Sequence, residues 1–402
     1  MANRPKRLLL LGGLRYLVPV INAAHEEGYY VITCDYIPDN IAHAYSDEYH
    51  NVSIIDKEAV LQLARILKID GIMSFAVDPG VVTAAYVAEQ MGLPGNPFKS
   101  VEILQNKDKF RSFLQQNHFN VPRSKGYRDL ESLLEEMDYF SFPVIIKPTD
   151  SAGSKGVTRV DNPKELREAV ESALSCSLSG NFIVEEFIDK KGYSSDSDGF
   201  SVNGELKFVS FSDQRFDDRA ANPYTPSAFS WPATMEQGHQ DVLKDEIQRL
   251  LTLLGMRTSV YNIETRVGQD NKPYIMELSP RGGGNRLSEM LKYATGEDLI
   301  KNAVRAAVGD TIESMSSPRY NGFWAEIILH GDKPGRFERI EIAEVIKSSV
   351  VELDLWIEKG DGIKAFNGAN DTIGTLVLKF DTREQLMETM DKTSDWLKVI
   401  IQ

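Results

Sequence analysis

The sequence predicts a mixed α/β and α+β chain with a Rossmann-like N-terminal domain, a two-lobed central domain and a small C-terminal α/β module. Three observations lead there. Strands and helices alternate over the first hundred or so residues, the pattern of a parallel sheet covered on both faces. Two strands joined by a short polar turn lie near Val260–Val267 and Pro273–Ser279. After them, Phe323–Leu329, Thr375–Phe380 and a final helix near Arg383–Leu397 suggest a mixed module.

Each element has a local reason. Leu8–Leu11 is a buried strand ending in Gly12-Gly13, followed by a helix to about Glu27. The basic residues before it imitate a signal peptide, but Arg15 interrupts the apolar run and no small-residue cleavage site follows. Tyr30–Cys34 is a second strand, ending at Asp35. In Lys57–Leu67, Val60, Leu63, Ala64 and Leu67 make one helical face. Gly71–Ala76 is a strand, and the helix after it ends near Gly92. Residues 107–187 read as helix, strand, loop, helix, strand, with strands at Phe142–Lys147 and Phe182–Glu186. Between them, Asn162-Pro163-Lys164-Glu165 carries the cap, the proline and the acid of a helix start. Residues 190–235 read as irregular, a length of loop that is usually functional. Leu243, Ile247, Leu250, Leu251 and Leu254 form a helix stripe closed by Gly255.

Composition narrows the function. The chain has 402 residues and a formal net charge of −14, with no cluster of Lys and Arg, so nucleic acid is an unfavourable partner. No apolar run reaches the length of a membrane-spanning helix. Two cysteines, Cys34 and Cys176, form neither a disulfide framework nor a zinc pattern, as suits a reducing cytoplasm. Gly12-Gly13 with Asp35 hints at a dinucleotide site, but Leu14 and Leu17 occupy the other glycine positions of that fingerprint. The tight turn of a domain that binds no dinucleotide is the better reading.

Two constellations carry chemistry. Lys147 ends the apolar run Val144-Ile145-Ile146, where a lysine is costly unless it meets a charge. The loop Asp150-Ser151-Ala152-Gly153-Ser154-Lys155-Gly156 follows. Its small residues let backbone N–H groups approach an anion, although an ordinary turn would need the same residues. The second constellation is the hairpin turning at Gln269-Asp270-Asn271-Lys272. If Gly268 opposes Pro273, Glu264 faces Glu277 and Asn262 faces Ser279, all on one side of the pleat. Facing carboxylates at about 5 Å repel by roughly 3 kcal/mol at an effective dielectric near 20. A divalent cation between them reverses the sign; otherwise they splay apart on a solvated face.

Asn106-Lys107, Phe142–Pro148, the small-residue loop and Val184-Glu185-Glu186-Phe187-Ile188 stand in a characteristic order. Over residues 1 to about 310 the chain resembles carboxylate–amine ligases of the ATP-grasp superfamily. The resemblance implies a pre-ATP-grasp domain over 1–103, an ATP-grasp domain over 104–310 with a small lid lobe at 122–188, and a module over 311–402. It implies that Lys107 and Lys147 hold the phosphates of ATP. Ser151, Gly153, Ser154, Lys155 and Gly156 would form the lid. Glu185, Glu186 and the Phe187 and Ile188 backbone would border the adenine. The usual ribose-binding glutamate is replaced by Gly192, and Asp189 is the alternative. Two Mg²⁺ ions, or Mn²⁺, would sit on Glu264 and Glu277. The family's asparagine is Ser279 here, with Asn262 as a substitute ligand. Arg281, before Gly282-Gly283-Gly284, would steady an acyl phosphate. The implied activity is an ADP-forming ligase joining a small carboxylate to an amine or thiol, with a homodimer as the default assembly. A nucleotide-binding subunit without chemistry and a dinucleotide-dependent oxidoreductase are the alternatives. The aromatics between Asp213 and Pro232 fit an acceptor pocket and loop packing equally.

Overall fold

The computed structural model describes residues 4–151, 153 and 155–402. The N-terminal sheet is parallel, in the order Glu48–His50, Tyr30–Cys34, Arg7–Leu11, Gly71–Ser74. Leu8 to Leu11 are fully buried, because helices Val18–Glu26, Lys57–Leu67 and Asp78–Met91 cover the sheet. The strand Glu48–His50 escapes the sequence reading, being short and polar. Lys57–Leu67 begins where Asp56 accepts the Ala59 N–H and ends at Lys68 in the left-handed region.

A second sheet is antiparallel, in the order Ser124–Tyr127, Phe182–Glu186, Val144–Pro148, Thr158–Val160. Helix Leu166–Ser175 packs on it through Leu166, Ala169, Val170 and Ala173. The first turn after Asn162 is 3₁₀, with the asparagine side chain accepting the Lys164 N–H. Strands Ser124–Tyr127 and Thr158–Val160 and helix Leu130–Glu135 add to the predicted elements.

The central sheet positions the site. Its order is Glu205–Val209, Ser195–Val202, Ser259–Val267, Pro273–Ser279. Tyr261, Ile263, Ile275 and Leu278 bury one face against helix Gln237–Leu253. The other face carries Asp196, Asp198, Asn262, Glu264, Glu277 and Ser279. The hairpin differs from expectation at its turn, where Val267 rather than Gly268 opposes Pro273. A bulge between Glu264 and Thr265 restores the count, so Glu264 still faces Glu277 and Asn262 faces Ser279.

Residues 190–235 correct the sequence reading. They hold four strands, Ser195–Val202, Glu205–Val209, Asp213–Phe216 and Pro226–Trp231. Ser195, Ser197, Asp198 and Ser201 are buried, so a polar interior hid the alternation that marks a strand. The last two strands join Phe323–Leu329, Gly374–Phe380 and Val350–Leu355 in a five-stranded sheet. The predicted final helix is two short helices, Arg383–Met390 and Thr393–Trp396, followed by strand Leu397–Ile401. Val399, Ile400 and Ile401 favour a strand over continued helix. No described helix is long and apolar enough to cross a membrane.

Candidate active site

Lys147 meets the charge that its position requires. Its Nζ lies 2.7 Å from Glu185 Oε2, and Arg111 Nε lies 2.8 Å from the other carboxylate oxygen. Glu185 and Arg111 are almost wholly buried. Burial alone would raise the Glu185 pKa, but Arg111 and Lys147 outweigh it and hold the carboxyl at about 2. Burial lowers the Lys147 pKa, and Glu185 opposes that change. Lys107 stands nearby at the start of helix Lys107–Gln116. Its Nζ donates to the Ser151 carbonyl at 2.8 Å and lies 3.7 Å from Glu277. Its backbone N–H donates to the Thr149 carbonyl, tying the helix to the end of the Lys147 strand. Two cations, Arg111 and Lys147, thus converge on the buried Glu185 carboxylate, and Lys107 stands beside them, leaving positive charge for an anion.

The central sheet faces these cations with carboxylates. Cross-strand pairing puts Asp196, Glu264 and Glu277 in one row, and Asp198, Asn262 and Ser279 in the next. The Glu264 pKa is raised by burial and by Glu277. Asn262 Nδ2 donates to Asp196 at 2.7 Å and to Asp198 at 3.3 Å. The Ser279 hydroxyl accepts from Gln105 at 2.7 Å and donates to Asp78 at 3.0 Å. Both side chains are therefore engaged with their neighbours. Among the described residues, no group of three or more His, Cys, Asp or Glu is disposed to hold a metal ion.

Arg281 is 7% exposed and bound by two parallel contacts, Nε to Asp78 Oδ1 at 2.8 Å and an η nitrogen to Oδ2 at 2.7 Å. Burial would raise the Asp78 pKa, but Arg281 reverses that. Gly282 and Gly283 sit where side chains cannot. A Cβ on Gly282 would meet the Phe75 ring at 2.1 Å. The Gly283 N–H donates to Asp198, which also accepts from Ser288 and is fully buried.

Burial raises the Asp198 pKa to about 6, with Ser288 opposing. The folded chain therefore holds a proton that the unfolded chain releases between pH 3.8 and about 6. This contribution to stability falls as pH rises through that window. Asp198→Asn should flatten the fall, by up to about 3 kcal/mol. Thermal midpoints between pH 4 and 7 provide the test, and parallel profiles for mutant and wild type would refute it.

Residues 140–289 match the ATP-grasp domain family. The chain contains an ATP-grasp domain. It is 25% identical over 316 residues to the carbamoyl phosphate synthase large chain of Vibrio cholerae serotype O1, covering 76% of this chain. The chain spans only 28% of that relative's length. Its fold is similar along its whole length to an L-amino acid ligase from Bacillus licheniformis, with 24% identity, 100% coverage of both chains and a TM-score of 0.84. Phosphoribosylglycinamide synthetase from Anaerococcus prevotii is similar too, with 23% identity, 99% and 100% coverage and a TM-score of 0.76.

Within the ATP-grasp domain the remaining predicted residues are dispersed. Glu186 points away from Glu185; it accepts the Ser141 N–H and lies 3.4 Å from Arg123. The Phe187 N–H donates to Pro143, and Arg266 donates to the Ile188 carbonyl at 3.2 Å. Asp189 is exposed, and its carbonyl accepts from the Gln269 N–H. Gly192 takes φ +76, a turn that glycine favours. In the lid loop Lys155 is exposed, and Gly153 and Gly156 are left-handed at φ +69 and +67. Ser151 supplies the carbonyl on Lys107, while Ala152 and Ser154 lie outside the described residues. Phe229 and Trp231 are core side chains. Beside the first strand, a Cβ on Gly13 would strike Asn40 at 2.5 Å. Asp35 accepts from the Ile37 N–H and from Asn40. The space and the acid that a dinucleotide would need are therefore taken.

Arg111, Asp78, Asp196 and Asp198 were missed from sequence. Arg111 had a visible signal, since it sits between Phe110 and Leu114 on the buried face of its helix.

Proposed function

We propose that the chain is an ATP-dependent ligase that activates a small carboxylate as an acyl phosphate and joins it to an amine, releasing ADP and phosphate. The observation that carries this reading is the opposition of two charged surfaces. Lys107, Lys147 and Arg111 line one side, Glu264 and Glu277 the other, and Lys107 spans them.

Lys107 and Lys147 bind the phosphates of ATP, and Ser151, Gly153, Lys155 and Gly156 fold over them. Glu185 and Arg111 hold Lys147 in place, while the adenine lies against the backbone of Glu186, Phe187 and Ile188. Asp189 is the carboxylate nearest in sequence for the ribose. The facing Glu264 and Glu277 suit Mg²⁺ or Mn²⁺, because Mg²⁺ commonly takes one or two carboxylates and completes its shell with water and phosphate oxygens. Two ions there would neutralise charge at the phosphates. Asn262 and Ser279 space the carboxylates through their bonds to Asp196, Asp198 and Asp78.

The substrate carboxylate oxygen attacks the γ-phosphorus and ADP leaves. The amine nitrogen then attacks the acyl carbon, phosphate leaves and the nitrogen loses a proton. Arg281 stabilises the oxyanion, the charge that develops in the second step. Closure of the lid excludes water, which would otherwise hydrolyse the acyl phosphate. The unpaired Cys34 and Cys176 suit the cytoplasm.

ADP release from purified protein, with a panel of carboxylates and amines and Mg²⁺, tests the reading. Release that requires both substrates supports it. Tight ATP binding without release under any pair would instead support a nucleotide-binding subunit. In the same assay Lys147→Met should weaken ATP binding by about 1.5–3 kcal/mol, the worth of a charge-assisted phosphate contact. Wild-type affinity by calorimetry would remove Lys147 from the site.

A further inference from the structure

Arg281 leads into a strap, Gly282-Gly283-Gly284-Asn285-Arg286, that ends at helix Leu287–Thr295. The strap sets the aim of the arginine. Asp78 takes Nε and Nη2 of Arg281, and the remaining nitrogen, Nη1, donates to the Gly282 carbonyl at 3.1 Å. Nη1 is thus the nitrogen that Asp78 leaves for an oxyanion, and the strap holds it. Three glycines in a row impose no shape of their own, so the shape comes from what grips them.

The grips come from distant parts of the chain. The Ala76 N–H donates to the Gly282 carbonyl, Asp198 accepts the Gly283 N–H, and the Tyr16 hydroxyl bonds to Asn285 at 3.3 Å. A Cβ on Gly284 would meet nothing within 4 Å, so the far half of the strap depends on its end. Asn285 and Arg286 both have left-handed backbones, at φ 49 and 56, which non-glycine residues hold only when their surroundings impose it. The Arg286 side chain is 9% exposed. It donates to Glu352 at 2.6 Å, to Thr375 at 2.9 Å and to Glu289 at 3.2 Å. Tyr293 donates to the other oxygen of Glu352 at 2.7 Å. Glu352 lies on Val350–Leu355, an edge strand of the five-stranded sheet, and Thr375 on its neighbour Gly374–Phe380. Both stand beyond the residues that match the family.

We propose that Arg286 is a positioning residue and Glu352 its latch, by which the C-terminal sheet holds the Arg281 strap in its working shape. The inference rests on the ligase reading for the role of Arg281. Breaking the latch loosens the strap from its far end, and Nη1 of Arg281 loses its aim. Lys107, Lys147 and the hairpin carboxylates keep their own partners. The loss therefore falls on turnover and spares ATP binding.

The test uses the whole chain. Glu352→Ala should lower turnover at saturating substrates tenfold or more, with ATP affinity by calorimetry within twofold of wild type. In an Arg281→Ala background the same change should cost less than twofold, because its effect passes through Arg281. A contribution to the fold at large would cost the same in both backgrounds. If Glu352→Ala fails to fold, Arg286→Lys carries the same expectation, since it keeps the charge but lacks the fork that reaches three partners. Wild-type turnover, or equal losses with and without Arg281, overturns the proposal. Amide hydrogen exchange separates it from the ligase reading. The Gly283 amide should exchange at least tenfold faster in Glu352→Ala, while amides of strand Arg7–Leu11 keep their rates. That change without ADP release from any substrate pair would sink the ligase reading and leave the latch standing. Normal ADP release with unchanged exchange at Gly283 would do the reverse.

Discussion

Glu264→Gln should abolish ADP formation, by at least 10²–10³-fold if the pair holds the charge that stabilises phosphoryl transfer, yet leave the ligand-free protein as stable as wild type or more so. Both expectations come from one feature. Glu264 faces Glu277 across the hairpin, and burial and that neighbour together raise its pKa. Without a cation its charge opposes folding. Glutamine keeps the shape and removes the charge. Glu277→Gln should lose activity equally but gain less stability, because Glu277 lies 3.7 Å from Lys107 and its removal leaves that lysine less paired. Thermal midpoints measured alone, with nucleotide, and with nucleotide plus Mg²⁺ separate the effects. Mass action predicts a Mg²⁺-dependent rise in wild type and none in either mutant. Normal ADP formation by Glu264→Gln would take the hairpin carboxylates out of the mechanism.

That pair was legible because hairpin geometry follows from simple counting. Side chains alternate, and a turn fixes the partner. The count began one residue off at Gly268, and the bulge after Glu264 corrected it. A bulge leaves little trace in a single sequence, so agreement at Glu264 and Glu277 owed something to that compensation. Lys147 was legible for a firmer reason, since a lysine closing an apolar strand demands a partner. The partner itself was only half readable. Glu185 could be found by motif, but Arg111 comes from a helix some seventy residues upstream and meets Glu185 only in three dimensions. Asp196 and Asp198 were lost with their strand. Its Ser-Asp-Ser-Asp-Gly-Phe-Ser run is mostly polar yet buried from Ser197 to Ser201, so it shows neither the alternation nor the apolar run that marks a strand. Asp78 opens a helix, where an acid is explained by the helix dipole alone. Nothing local indicates that Arg281 will claim it.

Arg281 carries the second large expected effect, and Asp78 determines how it must be tested. Arg281→Ala should lower turnover at saturating substrates on the order of 10²–10³-fold, the loss expected when one donor to a developing oxyanion is removed. ATP affinity should change little, because the proposed role is confined to the transition state. The substitution also leaves Asp78 largely buried without the guanidinium that holds its pKa down. Breaking such a pair from one side destabilises by about 3–5 kcal/mol, so reduced turnover alone could reflect an unfolded fraction. Asp78→Asn with Arg281 intact isolates the second effect, since the arginine keeps its charge but loses its ion pair, with only the amide oxygen left to accept a hydrogen bond. Asp78→Asn/Arg281→Ala should recover much of the stability lost in Arg281→Ala, because no unpaired charge remains, and should recover none of the turnover. A double mutant that regained both would make Arg281 a structural partner of Asp78 and leave the oxyanion without its donor. Turnover at the single mutant's level, with the thermal midpoint restored, would separate the chemical role of Arg281 from its part in holding the N-terminal helix against the site.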